Sequence, residues 1–456
     1  MAPQLGPHEL VHVFSFLEAR DLLRAGQVNK VWNEVSMTKE LWRQLCLRRW
    51  ASCKAFPMVV GTQTWRQYYF CRSELEFRVE SGRPQDFVCK SISGHTGKID
   101  QLAYVTPHEY RFDERAKSVV CTVSSDCTVR AWDLHELVVT VDTQGLIIGW
   151  KAETGSLWAS FCLPTFCSSM EACGHSEGPF LMVACAEGTL YTLTVPQLQV
   201  VSKVATFSHT SVSLTCSPDQ QWVFVFAQGS DLGPKVFYTQ SLLYPSEDGL
   251  PVSTSLPVRL SSRACWAPEE AARLMVMHRD VRGMHLVITT FDLKASKSRD
   301  RVSILEQQLA SFPLPDTMTP HLMQGHGSQV ILLASRSELV LFTIHGLQLM
   351  AFQDHQRPIT SMWVDPTCVI TSSLDLSLRV YVWNKKKTCP VLKSCCQLLG
   401  GSHRWASGFT HVKSDSMSIA GVEARSNGTS ILRSTRRKEE PDSFSCRKYL
   451  QLRLTQ

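Results

Sequence analysis

The sequence DCTVRAW at residues 126–132 decides the fold class of most of the chain. Asp126 begins a tight turn, and the residues after it have the pattern of an alternating β-strand that ends at Trp132. Working outward, Gly94-His95 opens the same unit and Trp132-Asp133 closes it. A unit of about 40 residues with these two ends predicts one sheet of four short strands.

A second unit of this kind runs from Asp354-His355 through Asp375 to Val382. Tyr381 stands six residues after Asp375, as Trp132 does after Asp126. Weaker ends of the same type recur between the two units, and successive ends from residue 150 onward are 43, 44, 54, 51 and 39 residues apart, which is near the roughly 40–45 residues of a four-stranded unit. These weaker ends are Trp150, Leu193, Phe237, Phe291 and Phe342.

One interval is too short. Only 18 residues separate Trp132 from Trp150, too few for four strands. Either this unit has lost its outer strands or part of it is deleted, so we expect a defective sheet between Leu134 and Gly145. Radial repetition leaves only short sheet edges. The repeats therefore predict a ring of about seven sheets, one of them shortened and its closure imperfect.

The first fifty residues have a different composition, rich in helix formers. Leu10, Val13, Phe14 and Leu17 recur at helical spacing and predict one apolar stripe. Further short helices are predicted after Asp21, around Trp32 and after Thr38. Such a small unit cannot bury all its apolar surface internally. Part of the stripe is therefore expected to dock on a partner, the alternative being a helical subdomain packed on the rest of the chain.

A helix is also predicted after Thr64, which can act as its N-cap. Trp65, Tyr68, Tyr69 and Arg72 recur on it at helical spacing. The aromatic side chains are expected to pack the helical unit onto the strand-rich repeats. Turn residues at 81–84 end this helix.

The last residues, 433–456, are polar, with basic side chains at Arg433, Arg436, Arg437 and Lys438. We expect a solvated, partly disordered tail, the alternative being a basic nuclear signal. The chain is thus divided into a helical unit at 1–50, a helical linker at 51–84, the repeats at 85–432 and this tail.

Composition narrows the class of protein. The formal charge of +6 over 456 residues is weak evidence for nucleic acid, and neither an export signal nor an apolar run long enough to span a membrane is predicted. The 17 cysteines include no C-x-x-C pair, which favours reduced thiols in the cytosol or nucleus. The sequence has none of the common nucleotide or hydrolase motifs, so we expect no cofactor and no catalytic residues.

His8-Glu9-Leu10-Val11-His12 matches the zinc-protease pattern H-E-x-x-H. On a helical wheel, His8 and His12 lie opposite the apolar stripe and would face solvent. A very small helical unit would also have to supply a third ligand and a cleft. We therefore predict no metal site here.

The order and spacing of Leu5 to Leu17, Asp21-Leu22-Leu23, Gln27-Val28, Trp32-Asn33 and Leu41-Trp42 resemble an F-box. The repeats resemble WD repeats, which form β-propeller blades. Nearly the whole chain is similar to the F-box and WD-repeat family, and within it to a divergent mammalian group. The fold class implied is multidomain α + all-β. One difference is Gly6, which stands where the family usually has proline, with Pro7 one place later.

The resemblance implies residue roles. In the family the F-box binds a Skp-type adaptor, and the matching residues here form or support that face: Leu5, Pro7, Leu10, Val13, Phe14, Leu17, Leu22, Leu23, Val28 and Trp32. A His, a turn Asp and a strand aromatic hydrogen-bond within a WD blade, which assigns structural roles to His95, Asp126, Trp132, His355, Asp375 and Tyr381.

The implied function is that of a non-catalytic substrate-recognition subunit of an SCF-type cullin-RING ubiquitin ligase. The adaptor joins it to a cullin and a RING subunit, and the propeller binds a client protein. Related propellers read phosphorylated clients through arginines. The sequence does not show which arginines lie on a rim, and the client-binding residues stay unassigned; the candidates are Arg130, Arg263, Arg336, Arg357 and Arg379. The alternative is a WD-repeat scaffold whose F-box is too weak to recruit a ligase.

Overall fold

A computed structural model of the protein describes residues 6–50, 64–81, 87–92, 97–104, 120–124, 129–132, 137–141, 145–151, 157–173, 179–208, 210–245, 250–280, 282, 284–298, 301–384, 390–399, 406–414 and 418–437. Within these ranges, five helices precede the first strand and a sixth lies among the strands. They are α1 (Pro7–Phe14), α2 (Ala19–Ala25), α3 (Lys30–Ser36), α4 (Lys39–Arg49), α5 (Trp65–Ser81) and α6 (Thr239–Leu243). None of these helices has the length and apolar character needed to cross a membrane.

Helices α1 to α5 share one hydrophobic core. Leu10 and Phe14 from α1 and Trp42 from α4 lie in it, together with Trp65 and Tyr68 from α5. The aromatic residues of α5 therefore complete the core of the N-terminal helical unit itself, where we had expected them to join that unit to the repeats. Without α5 a large part of this small core would be exposed.

Helix α5 begins at a capping box. The Thr64 hydroxyl accepts a hydrogen bond from the Gln67 amide (3.2 Å), and the Thr64 amide donates to Gln67 Oε1 (2.8 Å). The predicted N-cap is confirmed.

Further along α5, Glu76 is almost fully buried and accepts from Trp50 Nε1 (2.6 Å) and from Arg49 (3.0 Å). The Arg72 guanidinium lies 4.6 Å from the centre of the Trp50 ring. The helix is therefore fixed to the end of α4 over several turns.

The described strands form eight antiparallel sheets, six with four strands and two with three. One three-stranded sheet consists of β2 (Ile99–Tyr104), β3 (Val120–Ser124) and β4 (Val129–Trp132). The other consists of β5 (Leu137–Val141), β6 (Leu146–Lys151) and β7 (Leu157–Cys162).

The next sheets each have four consecutive strands. They are β8 (Cys167–Cys173), β9 (Phe180–Cys185), β10 (Thr189–Thr194), β11 (Val200–Ala205); β12 (Val212–Cys216), β13 (Trp222–Ala227), β14 (Lys235–Tyr238), β15 (Ser253–Ser255); and β16 (Arg259–Trp266), β17 (Arg273–Arg279), β18 (Leu286–Ser298), β19 (Arg301–Pro313).

The series continues with β20 (Pro320–His326), β21 (Val330–Ser335), β22 (Glu338–Thr343), β23 (Gln348–Phe352), and with β24 (Ile359–Val364), β25 (Cys368–Ser373), β26 (Ser377–Asn384), β27 (Val391–Leu399). The last sheet joins β28 (Ala406–Ser414), β29 (Ser418–Arg425) and β30 (Ser430–Arg437) to β1 (Phe87–Ile92). First strands of neighbouring sheets contact each other, as in the pairs β8–β12, β16–β20, β20–β24, β24–β28 and β28–β2. The propeller predicted from the repeats is confirmed.

The repeat spacing placed strands correctly, but the residues predicted to end each unit are followed by one more strand of the same sheet. The predicted strand ends all lie on third strands of four-stranded sheets or, for Trp150, on the middle strand of its three-stranded sheet: Leu193 on β10, Phe237 on β14, Phe291 on β18, Phe342 on β22 and Tyr381 on β26. Most of these side chains are fully buried. The recurring large residue is therefore a core position of each sheet.

The short interval after Trp132 corresponds to a junction between two sheets, each with three described strands. Strands β2 to β4 end at Trp132 and β5 begins at Leu137, and in the described residues each of these sheets has three strands. We expected about seven sheets with one shortened; the described strands divide that region into two, which brings the number of sheets to eight.

The two ends of the strand-rich region meet. Strand β1 pairs antiparallel with β30 from Phe87 opposite Arg437 to Ile92 opposite Leu432. This pairing joins the last sheet to the chain's first strand, where we had expected imperfect closure. Strand β30 also continues past Leu432, where the sequence placed the start of a polar tail, because the backbone of Arg433 to Arg437 pairs with both β1 and β29.

A polar network fixes the sheet of β24 to β27. The His355 side chain is 1% exposed; its Nδ1 lies 2.9 Å from Asp375 Oδ2 and its Nε2 2.8 Å from the Thr371 hydroxyl. Because a carboxylate only accepts, Nδ1 donates and Nε2 accepts from Thr371. Tyr381, also buried, interacts through its hydroxyl with Thr371. The network joins the loop before β24 to strands β25 and β26.

The corresponding residues of the first unit are His95, Asp126 and Trp132. His95 and Asp126 lie outside the described residues, and of Trp132 only the backbone, at the end of β4, is described. Their structural roles stay predictions.

Truncation tests the ring closure. A chain that ends at Arg437 keeps every β1–β30 pair, whereas one that ends at Leu432 loses all but one of them. We expect the first to unfold at the wild-type temperature and the second several degrees lower, as measured by circular dichroism. Equal melting temperatures for the two truncations would show that β1–β30 pairing does not stabilise the fold.

The His355 network predicts how stability depends on pH. Burial lowers the pKa of His355 below 6.5, although Asp375 partly offsets this. Between that lowered pKa and about 6.5 the unfolded chain binds the proton and the folded chain does not, so stability is greatest above 6.5 and falls as the pH drops below it. We expect His355→Gln to cost about 1–3 kcal/mol at pH 7.5 and to show a smaller loss of stability between pH 7 and pH 5 than the wild type. Parallel pH profiles for the two proteins would contradict the assignment.

Candidate adaptor-binding surface

The structure divides the predicted adaptor-binding residues into three groups. Leu10, Phe14 and Leu22 are buried in the helical core, with 1–2% of their surface exposed. Another group is exposed and consists of Pro7, Val13 and Val28; a third is half-buried and consists of Leu17, Leu23 and Trp32, and Leu5 lies outside the described residues. The first group can support the surface only from beneath, and the second can touch a partner directly.

Three exposed valines lie around the contact between α1 and α3. Val13 is 46% exposed, Val28 61% and Val31 46%. Val13 precedes Phe14, whose ring packs edge-on against Trp32 (5.3 Å), and Val31 precedes Trp32 in α3. The Phe14–Trp32 contact thus joins the two helices that carry Val13 and Val31. We call Val13, Val28 and Val31 the valine surface.

The turn before α3 is fixed by two side chains. Asn29 accepts a hydrogen bond from the Trp32 amide (2.9 Å) and so caps the helix. The Asn33 amide group donates to the Gly26 carbonyl (2.8 Å). These bonds satisfy the Trp32 amide and the Gly26 carbonyl. They fix the backbone that carries the exposed Val28 and Val31.

Helix α1 begins at Pro7, one residue later than the family's usual proline. Gly6 is the N-cap and makes no side-chain capping bond, and the Leu10 amide donates to the Gly6 carbonyl (3.0 Å). Proline suits the first helical position because its missing N–H has no partner there. The Gly6-Pro7 order therefore still yields a helix that buries Leu10 and Phe14.

Phe16 is exposed over 72% of its surface but does not belong to the valine surface. It lines an open hollow with Ser15, Gln44, Leu47 and Arg48, between the end of α1 and α4. Neither Phe16 nor Val31 was among the predicted adaptor-binding residues. Phe16 does not continue the spacing of Leu10 and Phe14, whereas Val31 stands at helical spacing from Val28 and Val35.

The zinc-protease pattern occupies the exposed side of α1. His8 and His12 are both exposed, and the His12 ring packs edge-on against Phe16 (5.3 Å). Among the described residues no three His, Cys, Asp or Glu side chains are arranged to hold a metal ion.

The propeller arginines considered from sequence occupy different positions. Arg336 and Arg357 are exposed and lie at one boundary between sheets, where the Ile359 amide donates to the Arg336 carbonyl (2.7 Å). Arg379 donates to the Asp354 carbonyl (2.9 Å), and Arg263 lies half-buried on β16. The side chain of Arg130 is outside the described residues. Of the four arginines whose side chains are described, Arg336 and Arg357 are the exposed ones.

Comparisons with known proteins agree with this arrangement. The F-box-like family matches residues 7–48. The chain is 35% identical to human F-box/WD repeat-containing protein 12 over 450 residues, which is 93% of this chain and 97% of that protein. It is 30% identical to mouse F-box/WD repeat-containing protein 15 over 424 residues, 87% of this chain and 91% of that protein.

Among solved structures, the crystal structure of the computationally designed Ika8 protein is similar with a TM-score of 0.52. The match covers 75% of this chain and 98% of the designed one at 16% identity. At that identity the likeness concerns the fold alone.

Proposed function

Because this chain belongs to the F-box/WD repeat-containing protein family, we propose that it is the substrate-recognition subunit of an SCF-type cullin-RING ubiquitin ligase. In this proposal the N-terminal helical unit binds a Skp-type adaptor, through which the cullin and RING subunit are recruited. The propeller binds a client protein in the cytosol or nucleus. The observation that carries the proposal is the valine surface, an exposed apolar feature on a well-packed helical unit.

The valine surface is large enough to matter for binding. Fully burying a valine contributes about 1.5 kcal/mol or somewhat more, and each of the three is about half exposed. Burying all three on a partner would then contribute roughly 2–3 kcal/mol, which is about a 30- to 150-fold change in affinity. The buried Leu10, Phe14 and Leu22 contribute indirectly by holding α1, α2 and α3 in place.

The proposed mechanism is proximity. The chain would hold a client near the charged enzyme on the RING subunit and so raise the effective concentration of the client's lysines. Helix α5 supports this role because its 17 residues span about 25 Å and its contacts with Trp50 fix it to the helical unit. No group of this chain takes part in the transfer of ubiquitin in this proposal.

For the client, the exposed Arg336 and Arg357 favour an anionic segment. Guanidinium groups make charge-assisted, bidentate hydrogen bonds to phosphate. The exposure of these two arginines supports the proposal that the client is bound through a phosphorylated segment.

The valine surface gives a direct test of adaptor binding. We expect Val13→Asp/Val28→Asp to abolish co-purification of the Skp-type adaptor and cullin from cells, because two charges would have to be desolvated at the interface. Both positions are exposed, so the melting temperature should change little. Leu10 and Phe14 are unsuitable targets, since charges there would unfold the helical unit.

The matched control is Leu305→Asp/Leu347→Asp. These leucines are 58% and 66% exposed on the propeller, so the control adds the same charges to comparable apolar positions and should retain both partners. Absence of adaptor and cullin from the wild-type preparation would contradict the proposal and leave a WD-repeat scaffold. Equal recovery of both partners with the valine variant would show that the adaptor binds elsewhere.

A further inference from the structure

Two cysteines end the first strands of neighbouring sheets. Cys173 is the last residue of β8 and Cys216 the last residue of β12. Strands β8 and β12 pack directly against each other. Both thiols belong to the same hydrophobic cluster, Cys173 as a buried member and Cys216 as a half-buried one.

Hydrogen bonds between the two strands fix their register. The Ser168 hydroxyl donates to the Val212 carbonyl (2.8 Å), and the Leu214 amide donates to the Ser169 hydroxyl (3.2 Å). One step further, the Cys216 amide donates to Glu171 Oε2 (3.0 Å). The two strands thus run in the same direction at a nearly constant offset, which places Glu171 opposite Cys216 and Cys173 two residues further along β8.

The two thiols contact each other through a hydrogen bond. Cys173 Sγ also lies 3.8 Å from the Gln220 carbonyl, in the turn that follows β12. With 1% of its surface exposed, Cys173 is nearly closed off, whereas Cys216 is half-buried. A small molecule can therefore approach the pair from the Cys216 side.

The contact shifts the pKa values of the two thiols in opposite directions. The hydrogen bond from Cys216 lowers the pKa of the Cys173 thiol, although burial and Glu171 oppose this. The same bond, together with burial, raises the pKa of Cys216. Cys173 is therefore the thiol of this pair that forms a thiolate first, and the thiolate is the reactive form toward oxidants.

We propose that Cys173 and Cys216 are a redox modification site at which a peroxide-class oxidant forms a reversible disulfide between β8 and β12. The Cys173 thiolate attacks one oxygen of hydrogen peroxide; the O–O bond breaks, and the departing hydroxide takes a proton to leave as water. Cys216 sulfur then attacks the resulting sulfenic acid, its proton leaves with the displaced hydroxide as a second water, and the S–S bond forms. Two thiols and one peroxide give one disulfide and two waters.

The disulfide would cross-link two sheets. It would close a loop of about 40 residues that contains β9, β10 and β11 and so restrict the unfolded chain. For a propeller of this size the expected rise in melting temperature is roughly 5 °C. A disulfide of this kind in a reducing compartment would be transient and would report oxidant exposure.

Peptide mapping by mass spectrometry of the full-length protein tests the site. The protein is treated with hydrogen peroxide, alkylated without reductant and digested so that each cysteine lies in its own peptide. We expect a cross-linked pair that contains Cys173 and Cys216, that disappears after dithiothreitol and that is absent from Cys173→Ser and from Cys216→Ser. The matched control is Cys265→Ser, since Cys265 is buried in the propeller among apolar residues, and it should retain the cross-link.

Thermal unfolding of oxidised and reduced wild type provides the second measurement and does not depend on whether a variant folds. The oxidised form should melt at the higher temperature, and dithiothreitol should reverse the shift. Peroxide treatment that leaves both cysteines as separately alkylated peptides, or that oxidises either one irreversibly without a cross-link, would overturn the proposal.

Discussion

The ring depends on the pairing of its first strand with its last. A sheet edge with unpaired N–H and C=O groups must be covered or paired, and here β1 covers the edge of β30 from Ile92 opposite Leu432 to Phe87 opposite Arg437. Helix α5 is the last helix of the helical unit and β1 is the next described element, so the strand that closes the ring is also the first described strand after the proposed adaptor-binding unit. Closure and domain connection therefore use the same short segment.

Within the sheets, the burial of apolar strands and a few polar networks make different contributions to the fold. Strands such as β13, β21 and β25 are buried along their whole length, which gives the sheets their stability. The His355–Asp375–Thr371 network makes the fold more specific, since a buried imidazole with two partners is satisfied in only one arrangement of its strands. The proposed Cys173–Cys216 link would add a third, reversible constraint between sheets.

Much of the fold could be predicted from the sequence because its signals are periodic. Spacing alone identifies Phe237 and Phe291 as strand ends, and both lie on third strands. The roles of Val13 and Leu10 are harder to separate, because a stripe at helical spacing does not show which side chains a neighbouring helix will cover. Strand β30 was missed beyond Leu432 because Arg433 to Arg437 have the composition of a solvated tail, whereas pairing with β1 uses backbone groups that composition does not reveal. The number of sheets depends on how an 18-residue interval is divided, and no local pattern decides that.

For the function, the central claim is that the valine surface is where this family member meets its adaptor. Hydrogen exchange of the purified protein, with and without a purified Skp-type adaptor, tests it most directly. The account predicts slower exchange on adaptor binding in the segments around Val13 and from Val28 to Val31, with exchange in the propeller strands unchanged. Unchanged exchange in those helical segments, or protection confined to the propeller, would contradict it.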